Sequence, residues 1–197
     1  MELSNSLNMQ RCPSCNIANP NITKRTDFNT TTANNGNKRI WIVYICSSCG
    51  GAIMGSRNES SPKAIELFPK PITVDPSIPE KAAAFLSQSL ETIHAPAGSI
   101  MLSASSIDAM LKDKGYKEGS LYTRIDQAAK DHLITEGMAK WAHQIRLEAN
   151  DHRHADEHAK MPTEEDAKRI LEFAFALGEF LYVLPDKVAR GIERSIN

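Results

Sequence analysis

The segment from Trp141 to His154 carries three polar residues whose spacing could bind an anion and move a proton. On a helix of about 100° per residue, Arg146 and Asn150 lie about 40° apart, and His154 follows one turn later. A guanidinium clamps anions, an amide positions a ligand, and an imidazole exchanges protons near neutral pH. The stripe therefore indicates a functional site. A solvated polar helix face is the alternative interpretation.

Four of the six histidines fall in or just after this segment, and two chemistries compete for them: His143, His152, His154 and His158. The pentapeptide from His154 to His158 places two imidazoles one turn apart beside a glutamate, a spacing found in hydrolytic zinc sites. Its third ligand would come from Glu164, Glu165 or Asp166. In the other chemistry, metal-free RNA cleavage, an arginine holds the scissile phosphate and an imidazole activates the ribose 2′-OH or protonates the leaving oxygen. This second interpretation is favoured, because little chain follows His158 to build a hydrolase cleft.

All four cysteines fall in two C-x-x-C pairs, Cys12 with Cys15 and Cys46 with Cys49. Four thiolates at such spacing can close a tetrahedral zinc site with no open position for water, so the zinc would be structural. A redox role for either cysteine pair is the less favoured interpretation. A module this small has too little apolar surface to fold on burial alone, so the metal should stabilise it.

Residues 40–45 are rich in β-forming side chains and end directly at Cys46, the first cysteine of the second pair. Residues 19–26 could supply a partner strand, and the polar stretch 29–37 suits the tip of a long hairpin between the two strands. The pattern resembles a zinc ribbon. Basic residues near the hairpin are candidates for nucleic-acid contact, although such charges also simply solvate a hairpin: Lys24, Arg25, Lys38 and Arg39.

Beyond the ribbon, five prolines between residues 60 and 79 predict an extended connector. Apolar residues then recur at helical spacing, which predicts helices over about 79–94, 97–114 and 120–132, a fourth from about 135 and a fifth from about 163. The last is apolar over more than one stripe and should be central to the core or to a dimer interface, with Pro185 ending or kinking it. The domains are therefore a four-cysteine zinc ribbon over 1–60, a connector over 61–78 and an all-α bundle over 79–197.

The composition is that of a globular protein, with 41% hydrophobic and 24% charged residues and a net charge of −1. Residues 1–71 hold eight Lys and Arg against four Asp and Glu, whereas residues 72–197 hold fifteen against twenty. This imbalance permits a nucleic-acid partner without requiring one. No apolar run is long enough for a membrane span or an export signal, so we expect a cytoplasmic protein with reduced cysteines and no membrane partner.

The run from Ile145 to Asp156 is similar to the signature of a widespread bacterial domain of unknown function grouped with the HEPN superfamily, and the resemblance covers roughly residues 78–192. It implies a mainly α, HEPN-like bundle that forms a homodimer, with Arg and His motifs of two protomers facing one cleft. Many HEPN domains are metal-independent endoribonucleases of toxin–antitoxin, phage-defence or restriction systems, and others only bind. The general HEPN spacing selects His152, and the narrower family's spacing selects His154. The family's usual glycine before the asparagine is Ala149 here.

Two functions follow as expectations. The first is an endoribonuclease of a defence or toxin system, in which Arg146 clamps phosphate and His154, with His152 as the alternative, acts as acid and base across the dimer. The second is a non-catalytic binding or adaptor module for a nucleic acid or for an antitoxin or defence partner. In that case Arg146, Asn150 and His154 would be structural.

Overall fold

The computed structural model describes residues 1–34, 36–153 and 160–196, with the side chains of 151–153 and 196 left aside. The chain divides into two units, Met1–Ile72 and Thr73–Asn197. We call them the sheet unit and the helical unit.

The sheet unit contains one antiparallel sheet in the order β1-β2-β3-β4, with strands at Ile22–Thr30, Arg39–Cys46, Ala52–Asn58 and Ala64–Phe68. The first two strands form the hairpin that the sequence predicted. The other two were not predicted, and β4 falls inside the segment expected to be a proline-rich connector. There Leu67 packs onto the core of the sheet unit. Pro69 and Pro71 follow, and residues that lack an N–H donor cannot extend a ladder.

One face of the sheet is covered by residues 1–12. Leu3, Leu7 and Met9 are buried against alternate residues of β2, Ile42 and Tyr44. This alternation follows from the two-residue period of a strand. The Tyr44 hydroxyl donates a hydrogen bond of 2.9 Å to the carbonyl of Ser4 and so ties the covering segment to the sheet. The core of the sheet unit is therefore a small cluster of side chains, and it includes Cys12 and Cys46.

In its described part the helical unit contains six α-helices: α1 Glu80–Glu91, α2 Pro96–Asp113, α3 Leu121–Lys130, α4 Glu136–Arg153, α5 Glu164–Gly178 and α6 Leu184–Ile196. The first five correspond to the five predicted helices, and their predicted bounds agree within about three residues. A π-helical segment, Glu179–Val183, joins α5 to α6. It lies directly before Pro185, whose ring cannot fit a regular helical turn. The predicted interruption of the last helix near this proline is therefore present.

The helix at the centre of the bundle is α2, which packs against α1, α3, α4 and α5. Small side chains line its contact with α1, where the buried Ser89 hydroxyl lies 2.7 Å from that of Ser103. α5 is also largely buried, as predicted, but Phe180 and Leu184 beyond it are 40% and 50% exposed. Beyond α5, Leu181, Tyr182 and Val183 are buried in the same core. The predicted alternative, a dimer interface formed by this segment, stays a prediction.

Candidate functional site

Arg146 and Asn150, together with Ala149 between them, line one wall of a cavity of about 920 Å³ in the helical unit. The remaining walls come from α1, α2 and the first turn of α3. Because Arg146 and Asn150 are four residues apart on α4, both side chains reach the same cavity. The spacing that singled out these two residues in the sequence thus corresponds to a shared pocket, which we call the Arg146 pocket.

The Arg146 guanidinium carbon lies 5.4 Å from the centre of the Tyr122 ring, within the range of a cation–π contact. Its Nε is buried and has no hydrogen-bond partner. Across the described residues, no carboxylate lies within ion-pair distance of this side chain. A charged group with unused donors beside a cavity is suited to bind an anion, because an incoming phosphate would supply the missing acceptors.

Tyr122 is in turn packed against His143, with ring centres 4.7 Å apart. The His143 Nε2 lies 2.9 Å from a carboxylate oxygen of Asp126, and its Nδ1 is buried without a partner. Tyr122 is half-exposed, so its ring forms an accessible floor beside the guanidinium. Sequence reasoning missed Tyr122 and Asp126. His143 was one of the four clustered histidines of the sequence, and it lies three residues before Arg146 on α4.

The opposite wall contains charges that are already paired. The Arg124 guanidinium donates to Asp108 over 2.7 Å and to the carbonyl of Gly119 over 2.6 Å. Lys112 forms a 2.6 Å ion pair with the same aspartate. Arg124 is nearly buried and fixes the loop before α3. It is structural, whereas Arg146 remains available to a ligand.

The imidazoles proposed to act with Arg146 are not placed. His154 and His158 lie outside the described residues, and for His152 only the helical backbone is described. Two of the three acidic residues suggested as a third zinc ligand have other contacts. Glu164 accepts a 3.0 Å hydrogen bond from His94, and this bond lowers its pKa. Asp166 caps α5.

The four cysteines of the sheet unit converge, with all four sulfur atoms within 4.8 Å of one another. Around zinc, with bonds of about 2.3 Å, the edges of a sulfur tetrahedron measure about 3.8 Å. Only small adjustments separate the observed cluster from such a site. Cys12 and Cys46 are buried, Cys15 is partly exposed and Cys49 is exposed. The cluster could therefore hold a metal ion.

The two C-x-x-C turns have the same backbone arrangement. The N–H of Asn16 donates to the Cys12 carbonyl over 2.8 Å, and the N–H of Gly50 donates to the Cys46 carbonyl over 2.9 Å. Both residues have positive φ, 58° and 70°. Asparagine and glycine are the residues that adopt this conformation most readily. These matching turns bring each cysteine pair to the cluster.

The electrostatics of the cluster suit a cation. Burial raises the pKa of Cys15 to about 12, and the neighbouring cysteines add to that effect. Burial also acts to raise the pKa of Cys46, but hydrogen bonds from the backbone of Cys49 and Ser48 outweigh it and bring that pKa to about 7. A bound divalent cation would deprotonate its thiol ligands and neutralise their charge.

Three of the four basic residues near the hairpin already have acidic partners. Lys24 pairs with Asp27, Lys38 with Glu59, and Arg39 with Glu66 over 2.6 Å. Arg25 lies at the irregularity between Lys24 and Thr26 in β1. The local positive potential is therefore weaker than the sequence suggested, and nucleic-acid contact by these four residues stays a prediction.

Comparison with known proteins gives one match. The profile of the family described as domain of unknown function (DUF4145) matches residues 87–195. No curated protein and no solved structure matches the chain. None of the helices in the described part of the chain has the length and apolarity that a membrane span requires.

Proposed function

Because the chain belongs to the DUF4145 family, whose description assigns no activity, we propose a function from the Arg146 pocket: the helical unit is a metal-independent endoribonuclease. The observation that carries this proposal is the Arg146 guanidinium, which lacks an acidic partner among the described residues and lies over the ring of an accessible tyrosine at the wall of a large cavity. Phosphate and base are the two parts of a nucleotide that such a pair recognises. The resemblance of residues 145–156 to HEPN sequences supports the same function.

The chemistry needs only side chains and RNA. Arg146 would bind the non-bridging oxygens of the scissile phosphate, and Asn150 would orient the ribose or phosphate. His154, or His152 in its place, would take the proton of the 2′-OH as that oxygen attacks phosphorus. The bond from phosphorus to the 5′-oxygen then breaks and the leaving oxygen takes up a proton. The products are a 2′,3′-cyclic phosphate and a 5′-hydroxyl, and no further reactant is consumed.

A homodimer would allow the arginine of one protomer to meet the imidazole of its partner. An exposed apolar stripe on α6 supports such an assembly, because Leu184, Val188 and Ile192 recur every four residues and are each at least half exposed. Among the described elements α6 packs only against the π-helical segment before it. A helix this short is marginal without tertiary contacts, so a partner surface would stabilise it.

Binding without cleavage is the second candidate. It is favoured by Asp113 in the same cavity, because its carboxylate would repel an RNA backbone and weaken transition-state binding. In this case the protein would hold RNA, or an antitoxin or defence partner. In both cases we propose that the cysteine cluster holds a structural zinc and that the protein works in the cytoplasm.

The test measures binding and cleavage separately on the full-length chain. A 5′-labelled RNA with hairpin and single-stranded regions is incubated with protein in EDTA, with bound zinc quantified afterwards. We expect cleavage, with cyclic phosphate at the new 3′ ends. Arg146→Ala should slow cleavage by about 10²-fold or more, since it removes a charge-stabilising donor. His154→Ala should abolish cleavage while RNA still binds.

Arg169→Ala is the matched control. This arginine also lies in the helical unit, but it is paired with Glu148 at 3.0 Å, so its loss should leave cleavage unchanged. Cleavage at the wild-type rate by all three of the Arg146→Ala, His152→Ala and His154→Ala variants would identify the activity as a contaminant and overturn the proposal. RNA that is bound but left intact by the wild-type protein would overturn catalysis and establish the binding function.

A further inference from the structure

The sheet unit carries three aromatic rings in a row on the face opposite its core: Phe28 on β1, Trp41 on β2 and Phe68 on β4. The centres of the Phe28 and Trp41 rings are 6.5 Å apart with planes 12° from parallel. Trp41 and Phe68 are 6.3 Å apart with planes at 29°. We call this row the aromatic row.

The strand register explains why the rings share a face. Phe28 pairs directly with Trp41 across β1 and β2, and directly opposed residues project to the same side. Trp41 alternates with the buried Ile42, so it projects away from the core. Opposite Trp41 on β3 is Ser56, a small buried residue that leaves room for Trp41 and Phe68 to approach each other.

The central ring of the row is held in place, and the two outer rings are accessible. The Trp41 indole N–H donates a 2.9 Å hydrogen bond to the Thr30 hydroxyl, which holds the ring in place. Phe28 and Phe68 remain 47% and 43% exposed. A monomer gains nothing in stability from leaving large aromatic surfaces in water, and such patches commonly mark binding sites. Fixed rings lose little conformational entropy when a ligand stacks on them.

Composition and charge favour nucleic-acid bases as the occupant. Rings that share an orientation across a sheet can accept flat bases, and every base has a π-face to stack. Residues 1–71 also hold eight Lys and Arg against four Asp and Glu, an excess that attracts a phosphate backbone. Duplexes hide their base faces, so only unpaired strands can use such a surface.

We propose that the aromatic row is a single-stranded nucleic-acid binding site on which bases stack against Phe28, Trp41 and Phe68. This site is separate from the Arg146 pocket and does not depend on RNA cleavage. The sequence predicted nucleic-acid contact through basic residues at the hairpin of the sheet unit. In the present proposal the affinity comes instead from bases that stack on aromatic rings.

Trp41 provides the signal for the test. The other tryptophan, Trp141, is replaced in a full-length Trp141→Phe background so that emission reports on Trp41 alone. Titration with an oligouridylate of about ten nucleotides should quench this emission saturably. A duplex RNA of equal length should quench it far less. Phe28→Ala and Phe68→Ala should each weaken binding by about fivefold or more, from the usual strength of one base–aromatic stack.

Ile65→Ala is the matched control, since Ile65 is a 45% exposed apolar residue of β4 outside the row. It should leave the affinity unchanged, and zinc content should be equal in all variants. Failure of the oligonucleotide to quench Trp41, or an affinity unchanged from that of the Trp141→Phe background in both phenylalanine variants, would overturn the proposal. So would a change from oligomer to monomer in those variants without any RNA binding, which would identify a protein interface. Arg146→Ala should keep the Trp41 signal, so this test and that of the ribonuclease can fail separately.

Discussion

In the sheet unit the buried side chains form one thin layer between the sheet and residues 1–12, and two of them are the cysteines Cys12 and Cys46. In the helical unit a continuous apolar core runs through all of α1 to α5 and into the π-helical segment. The first unit has little apolar area to bury, and the second buries a whole bundle. Small domains with such thin cores usually need a metal or cross-links, whereas a bundle of this size does not.

The contrast extends to the two candidate ligand sites. In the helical unit, the Arg146 pocket is a cavity between packed helices, and its key residue is a cation without an acidic partner in the described part of the chain. In the sheet unit, the aromatic row lies on the outer face of the sheet, and three of the four cations near the hairpin are paired. A bundle has space between its helices to enclose a ligand. A thin sheet can offer only its face.

The substitution with the largest expected effect tests whether a metal stabilises the sheet unit while an apolar core stabilises the helical unit. Cys46→Ser removes a buried ligand, so metal content should fall from about one ion per chain to near zero. The sheet unit should then unfold, because metal binding contributes about 10 kcal/mol or more to modules of this kind. Hydrogen exchange followed by mass spectrometry should show lost protection in residues 1–72 and unchanged protection in α2 and α5.

Ser47→Ala is the control for this experiment, because Ser47 lies inside the same C-x-x-C turn and is exposed. It should bind metal normally. If the sheet amides stayed protected in the Cys46→Ser chain, the sheet unit would be stable without its metal. The proposed difference between the two units, in which only the sheet unit depends on a metal for its stability, would then be wrong.

The next effect belongs to the helical unit. Phe173 is almost fully buried and packs against Trp141, with ring centres 4.7 Å apart. Phe173→Ala should destabilise the unit by about 3–5 kcal/mol through the cavity it leaves. Thermal unfolding should show a lower midpoint with metal content unchanged. Phe180→Ala, at a 40% exposed position nearby, should cost far less. Equal losses in the two variants would mean that the core does not carry the stability.

A smaller effect tests how closely the two cysteine turns approach. A Cβ on Gly51 would lie 2.8 Å from the Cβ and hydroxyl of Ser14 and 3.1 Å from the Cys49 sulfur. Gly51→Ala should therefore weaken metal retention against a chelator and cost about 1–3 kcal/mol. Adding Ser14→Gly should recover part of the loss. Gly98→Ala, where nothing lies within 4 Å, should have no such cost. A Gly51→Ala protein with normal metal retention would contradict this geometry.

Much of the helical unit could be predicted because its apolar residues repeat every three to four positions over long segments, and because serine, threonine and proline mark several helix starts. The sheet was predicted only in part. β3 has the sequence AIMGSRN, which includes a glycine and lacks a clear alternation. The sequence also predicted that the last helix would be central to the core or to a dimer interface. It could not show that serines on α1 and α2 let those helices approach closely, which makes α2 the centre.

At the candidate sites, the residues brought together by local spacing could be predicted from the sequence, whereas contacts between different helices or strands could not. A four-residue spacing brought Arg146 and Asn150 to one pocket, and C-x-x-C spacing brought together the four cysteines. Tyr122 reaches Arg146 only because α3 packs against α4. The aromatic row depends on the register of three strand pairs, including two strands that were not predicted. No local pattern contains either arrangement.

The smallest effect concerns the start of α5 and its dependence on pH. The Thr163 hydroxyl accepts from the N–H of Asp166 over 3.2 Å and donates to its carboxylate over 2.7 Å, and the N–H of Thr163 donates to the same carboxylate. These bonds, first the one from the backbone of Thr163, lower the pKa of Asp166. Thr163→Ala should destabilise the helical unit by about 1 kcal/mol at neutral pH.

Because the folded-state pKa of Asp166 is depressed, its contribution is complete above the unfolded value of about 3.9 and is lost as the pH falls through the folded value. The difference in unfolding free energy between wild type and Thr163→Ala should therefore shrink below about pH 4. Ser120→Ala is the comparison. Ser120 caps α3 by accepting from the N–H of Thr123 over 3.3 Å, without a carboxylate partner in the cap. The loss of unfolding free energy caused by Ser120→Ala should be similar in size to that caused by Thr163→Ala at neutral pH. It should not depend on the titration of a capping acid. Parallel pH profiles for the two variants would show that Asp166 does not act through its cap.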